Sequence, residues 1–111
     1  MKFVVSDLDG TLLHSHNIVS EYTIRTIDKL VKKNVNFAIA TGRGQQGVQG
    51  ILKQLGINPY LICNNGANIY TPEGECILDK RIPKKIVTEI LKEIRKNNLF
   101  YLSLIHISRA H

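Results

Sequence analysis

Two aspartates stand one residue apart near the start of the chain, in the stretch FVVSDLDGTLL. Asp7 and Asp9 follow a run of apolar and β-branched residues, and Gly10 and Thr11 come directly after them. If strand geometry continued through the pair, both carboxylates would leave the same side of the backbone. Like charges that close repel, so a cation or a shared proton must resolve the conflict. Mg²⁺ does so naturally, because it suits one or two carboxylates together with a phosphate. With the charge neutralised, one aspartate can attack phosphorus and carry the phosphoryl group covalently. The other can protonate the departing alcohol and later activate water. Gly10 lets the backbone approach a ligand closely, and the Thr11 hydroxyl can fix the turn. DLDG alone would be a cheap match, since Asp and Gly are common turn residues. The full DxDGT, placed directly after a strand, is far more specific.

The elements that must position such a pair follow from the pattern of the rest. Residues 2–6 (KFVVS) read as a short buried strand. Ser20 has the chemistry of a helix N-cap, with Glu21 in the first turn. Ile24, Ile27, Leu30 and Val31 then recur at helical spacing, and Asn34 can close that helix. VNFAIA, at 35–40, predicts a second buried strand. After TGRGQQG, the residues Val48, Ile51, Leu52 and Leu55 mark a helix that ends at Gly56. YLIC, at 60–63, is a third strand, and Asn64-Asn65-Gly66 turns the chain. NIY and ECIL flank TPEG as a hairpin would. Pro83 opens a further helix with Ile86, Val87, Ile90 and Ile94 on one face, stopped by Asn97 and Asn98. The apolar start of the tail, from Leu99, is compatible with one more strand.

Alternating strands and helices predict an α/β fold with a Rossmann-like parallel sheet. In such sheets ligands bind beyond the carboxyl ends of the strands. Asp7, Thr41 and Asn64-Asn65 each end a predicted strand. Three separate stretches of sequence therefore converge on one crevice.

These residues carry a resemblance. SDLDGTLL resembles the first motif of the haloacid dehalogenase-like phosphohydrolases, and AIATGR is similar to their second motif, a Thr or Ser ending the next strand. ICNNGANIY resembles the Asn-Gly-Ala stretch of the Cof-type branch, subclass IIB, and the order of motifs agrees over roughly residues 1–98. The resemblance implies that Asp7 is the nucleophile and a Mg²⁺ ligand. It implies that Asp9 is the general acid and base, with its main-chain carbonyl on the metal. Leu8, Thr11, Thr41 and Gly42 would bind the phosphoryl group, the last two through a hydroxyl and a backbone amide. Arg43 and Asn65 would lie near the substrate. The implied activity is Mg²⁺-dependent hydrolysis of small phosphorylated metabolites, either sugar phosphates or phosphorylated cofactors, through an aspartyl phosphate.

The same resemblance implies an organisation. Residues 1–82 correspond to the N-terminal part of the Rossmann-like core, and 83–111 to the beginning of an α/β cap domain. The later lysine and the later acidic pair of the family have no counterpart in the sequence. A fragment that is inactive by itself is therefore expected, with a tail from about residue 102 (ending SLIHISRAH) that fits the family poorly and is expected to be non-native. The alternative is a non-catalytic module that binds phosphate or Mg²⁺ weakly.

Composition narrows the partners. Fifteen Lys and Arg against nine Asp and Glu give a net charge of +6. These cations are scattered over helix faces and helix ends, without interleaved aromatic residues for base stacking, so nucleic acid is not the expected partner. No apolar run approaches the ~20 residues that span a bilayer. No secretory segment is visible, and Cys63 and Cys76 form no CxxC pair, so two free thiols in the cytoplasm are expected. GRGQQG satisfies the GxGxxG pattern, but the acidic residue expected about 20 positions later in a dinucleotide site is missing. A phospho-receiver domain would need an aspartate after the third strand, where Cys63-Asn64-Asn65 stand. Oligomeric state is left open by the sequence.

Overall fold

Residues 1–15 and 17–100 are described by a computed structural model. The β-rich segments near the start form three parallel strands: β1 (Phe3–Asp7), β2 (Asn36–Ala40) and β3 (Tyr60–Cys63). Helix α1 (Glu21–Lys32) connects β1 to β2, and α2 (Gln49–Leu55), entered through a short 3₁₀ turn at Gln45–Val48, connects β2 to β3. The hairpin expected around TPEG is present as β4 (Asn68–Tyr70) and β5 (Cys76–Asp79). It joins the sheet antiparallel to β3, giving the order β1-β2-β3-β4-β5. The fold is a Rossmann-like α/β sheet, parallel over its first three strands and antiparallel over the last two.

Local chemistry explains where the helices begin and end. The Ser20 hydroxyl oxygen accepts a hydrogen bond from the Thr23 N–H at 3.2 Å, satisfying an otherwise orphaned donor. At the other end Asn34 turns left-handed, with φ of 61°. Its N–H donates to the Val31 carbonyl, and the Val35 N–H donates back to Leu30. That is the Schellman arrangement, which asparagine tolerates better than most residues. Gly56, with φ of 68°, ends α2.

One face of the sheet presents Phe37, Ile39, Leu61 and Cys63, which pack with Ile27 of α1 and with Ile51 and Leu55 of α2. Leu8, Leu13, Val19, Val48 and Tyr70 complete this core. A fully buried side chain such as Ile39 contributes on the order of 2 kcal/mol. Cys63 lies in the same layer, and burial pushes its thiol above the usual range. Both cysteines are free.

One expectation is corrected. The first strand reads as buried, yet Phe3 is 47% exposed and Val5 56%. β1 is bonded on one side only, to β2, and its outer edge carries no strand among the described residues. Phe3 meets Tyr60 edge to face, with ring centroids 5.3 Å apart. Periodicity reports that a strand is apolar. It does not report whether the strand is central or at an edge.

The chain divides into two compact units, Met1–Lys80 and Arg81–His111. In the second, α3 (Lys84–Lys96) follows Pro83. It ends in a second Schellman turn at Asn98, whose φ is 53°. The further strand expected beyond Leu99, and the tail from about residue 102, lie outside the described residues. No described helix is long and apolar enough to cross a membrane.

Candidate active site

The parallel register brings Asp7 of β1 level with Ala40 of β2, and Ala40 level with Ile62 of β3. Asp7, Thr41 and Asn64-Asn65 consequently leave the sheet at the same end. Two backbone hydrogen bonds extend this alignment past the strands. The Asn65 N–H donates to the Thr41 carbonyl at 3.1 Å, and the Asn64 N–H to the Arg43 carbonyl at 2.9 Å. Asn64, Asn65 and Gly66 all have positive φ (50°, 56° and 96°), which is why this turn is written with two asparagines and a glycine.

The DxDGT segment is a compact turn over Leu8. The Leu8 carbonyl accepts from the N–H of Leu13 at 2.9 Å and of Thr11 at 3.4 Å, while the Gly10 N–H donates to Leu13. Gly10 takes φ of 79°. Thr11 therefore closes the turn through its backbone N–H, where the sequence suggested its hydroxyl. The Leu8 side chain is wholly buried in the core, so only its backbone can face a ligand. Its N–H is already given to an Asp7 carboxylate oxygen at 2.7 Å.

Thr41 is 6% exposed, and its hydroxyl oxygen accepts from the Arg43 N–H at 3.0 Å. The hydroxyl proton is thereby left for another acceptor. Gly42 has a steric reason to be glycine. A Cβ there would stand 3.0 Å from the Asn65 Oδ1. That close approach packs the Asn65 side chain against the backbone of the second motif.

Arg43 faces Asp9. Its Nε donates to Asp9 Oδ2 at 3.0 Å and an Nη2 proton to Asp9 Oδ1 at 2.5 Å, a bidentate pair. Nη2 also donates to Asn17 Oδ1 at 2.8 Å, and Nη1 to the Gly47 carbonyl at 3.1 Å. Four of the five guanidinium protons are committed, which leaves one for any substrate. The hydrogen bonds from Arg43, and then its charge, hold the Asp9 carboxyl below the usual carboxylate range.

These groups can be tested against the implied Mg²⁺. Both Asp9 carboxylate oxygens are taken by Arg43. The second Asp7 oxygen and the Asp9 main-chain carbonyl enter no hydrogen bond among the described residues. A carboxylate oxygen of Asp7 and this carbonyl are hard oxygens of the kind Mg²⁺ takes alongside several waters, so the residues fit the ion. No group of three or more His, Cys, Asp or Glu gathers among the described residues.

Sequence reasoning missed Asn17 and Gln54. The Gln54 amide accepts from the Val19 N–H at 2.8 Å and donates to the Asn17 carbonyl at 2.7 Å. Neither residue belongs to a motif, and no local pattern announces the contact.

The fold and site define a Rossmann-like α/β protein with an aspartate pair, a threonine and an asparagine at the carboxyl ends of adjacent strands. Residues 4–110 match the family model of the haloacid dehalogenase-like hydrolases, and the chain belongs to that family. It is similar to the phosphatase YwpJ of Bacillus subtilis, 35% identical over 91% of this chain and 35% of that one. It is also similar to the HMP-PP phosphatase of Serratia proteamaculans, 35% identical over 77% of this chain and 31% of that one. A solved haloacid dehalogenase-like hydrolase from B. subtilis superimposes with a TM-score of 0.79 at 35% identity, over 88% of this chain and 34% of that one. The chain thus spans about a third of the length of these relatives.

Proposed function

We propose that the chain carries the phosphoryl-accepting part of a cytoplasmic, Mg²⁺-dependent Cof-type phosphatase. Its substrates would be small phosphorylated metabolites, sugar phosphates or phosphorylated cofactors. The observation that carries this reading is the meeting of Asp7, Asp9, Thr41 and Asn65 at one end of three neighbouring strands. The phosphatase names of two relatives support the reaction class.

In this reading Asp7 is the nucleophile. One of its oxygens is steadied by the Leu8 N–H, and the other attacks phosphorus. As the Asp7–phosphorus bond forms, the bond from phosphorus to the leaving oxygen breaks, and Asp9 donates a proton to that oxygen. Water then attacks the aspartyl phosphate, phosphate departs, and Asp9 takes the proton back. The Arg43 pair favours the carboxylate form of Asp9, which is the form that accepts the proton from water. Donation to the leaving group requires Asp9 to loosen from Arg43. Thr41, whose hydroxyl oxygen is engaged by the Arg43 N–H, would give its own proton to a phosphoryl oxygen. The Gly42 amide lies beside it. Asp7 and the Asp9 carbonyl would hold Mg²⁺, which when bound offsets the negative charge of carboxylate and phosphate.

The test compares the 111-residue chain with the same chain extended by the C-terminal remainder of the B. subtilis relative. Each is assayed with Mg²⁺ and p-nitrophenyl phosphate. The extended protein is expected to turn over and the short chain to give a flat trace. Asp7→Asn in the extended protein should lower kcat by at least about a thousandfold. Turnover that survives Asp7→Asn would remove Asp7 as nucleophile and sink the reading.

A further inference from the structure

The loop that follows the DxDGT turn is hydrogen-bonded to α2 through one side chain of that helix, Gln54. Gln54 takes the Val19 N–H on its carbonyl oxygen and gives an amide proton to the Asn17 carbonyl. One amide group thus clamps the backbone on both sides of Ile18. Only one orientation of the Gln54 amide satisfies both bonds. Asn17, held in this way with φ of 56°, accepts an Arg43 Nη2 proton on Oδ1.

Arg43 gives two parallel hydrogen bonds to Asp9, but an exposed pair of this kind is weak by itself. The Asp9 side chain is 59% exposed and that of Arg43 27%. The pair could swing as a unit while keeping its own contacts. Asn17 on Nη2 and the Gly47 carbonyl on Nη1 act against that swing, because they fix the rotation of the planar guanidinium.

We propose that Asn17, held by Gln54, is a positioning residue that orients the Arg43 guanidinium and, through it, the Asp9 carboxylate. The proposal rests on the reading of Asp9 as acid and base for its functional meaning, though not for its geometry. Asn17 acts on Asp9 only through Arg43, and Gln54 only through Asn17.

The experiment follows solvent exchange of the Arg43 Nε–H by ¹⁵N NMR in the 111-residue chain. Asn17→Gly removes the acceptor while keeping the backbone free to hold its positive φ. Exchange should speed up about fivefold, the effect of losing one modest hydrogen bond. Backbone amides of Ile39 and Leu61 should keep their protection. Asn17→Asp, which keeps the acceptor oxygen, should return exchange to within about twofold of the original, well inside the loss expected for one bond. Gln54→Glu keeps the acceptor for Val19 but sets an oxygen against the Asn17 carbonyl, so it should mimic Asn17→Gly. It also carries the test if Asn17→Gly does not fold. Unchanged exchange in the folded variants, or failure of Asn17→Asp to restore it, would overturn the proposal. If the exchange pattern appears but Asp7-dependent turnover is never found in the extended protein, the phosphatase reading falls and the positioning role stands.

Discussion

Asp9 must serve as a carboxylate in one half of the proposed cycle and as an acid in the other, and Arg43 biases that choice. Its folded-state titration lies below the ordinary aspartate value of about 3.9, because hydrogen bonds from Arg43 stabilise the ionised form. A depressed value has a definite sign. The pair stabilises the fold at pH above the unfolded-state value, and that contribution is lost as pH falls through the folded one. A ¹³C carboxyl titration should place the Asp9 midpoint below 3.9, and Arg43→Ala should move it back up. An Asp9 midpoint that ignores Arg43→Ala would show that the pair is not maintained in solution. At this scale the sequence was unevenly informative. DxDGT, TGR and NNG announce themselves, because short-range turn chemistry fixes which residues can stand there. Asn17 and Gln54 do not. Their contacts reach 26 and 37 residues along the chain, and an isolated amide on a polar loop or helix has no periodic signature.

At the scale of elements, what the sequence announces is local. Ser20, Asn34 and Gly56 can be read because caps depend on a few neighbouring backbone groups. The same logic gives a quantitative expectation. Ser20→Ala should cost about 1 kcal/mol, since the Thr23 N–H loses its acceptor at the start of α1. Urea unfolding is the measurement, with the midpoint falling and the slope unchanged. A change under about 0.3 kcal/mol would mean that water or the neighbouring Thr23 hydroxyl replaces the cap without cost. Strand direction was legible only in part. The β-α-β alternation implied the parallel pairing of β1, β2 and β3, and TPEG implied the hairpin. That the hairpin would add antiparallel to the β3 edge depends on how the tight Asn64-Asn65-Gly66 turn is docked, and its hydrogen bonds to Thr41 and Arg43 are long-range contacts.

For the molecule as a whole, the open edge that β1 shows among the described residues is the feature that bears on association. Strands in parallel sheets are normally covered on both faces, and their apolar residues suit that setting. Here Phe3, Val4 and Val5 lie on a strand bonded, among the described residues, only to β2, and all three are exposed. A row of unpaired backbone donors and acceptors beside apolar side chains templates further pairing. The chain should therefore associate as its concentration rises, which multi-angle light scattering on a dilution series would detect. Val5→Lys separates this cause from general stickiness. Val5 is more than half exposed, so its replacement should change stability by no more than about 0.5 kcal/mol. A lysine on the edge, however, places like charges together whenever two such edges meet. Association should weaken sharply in Val5→Lys and return as salt screens the added charge. A chain that stays monodisperse at high concentration, or one that associates equally with and without the lysine, would show that the β1 edge is not the surface responsible.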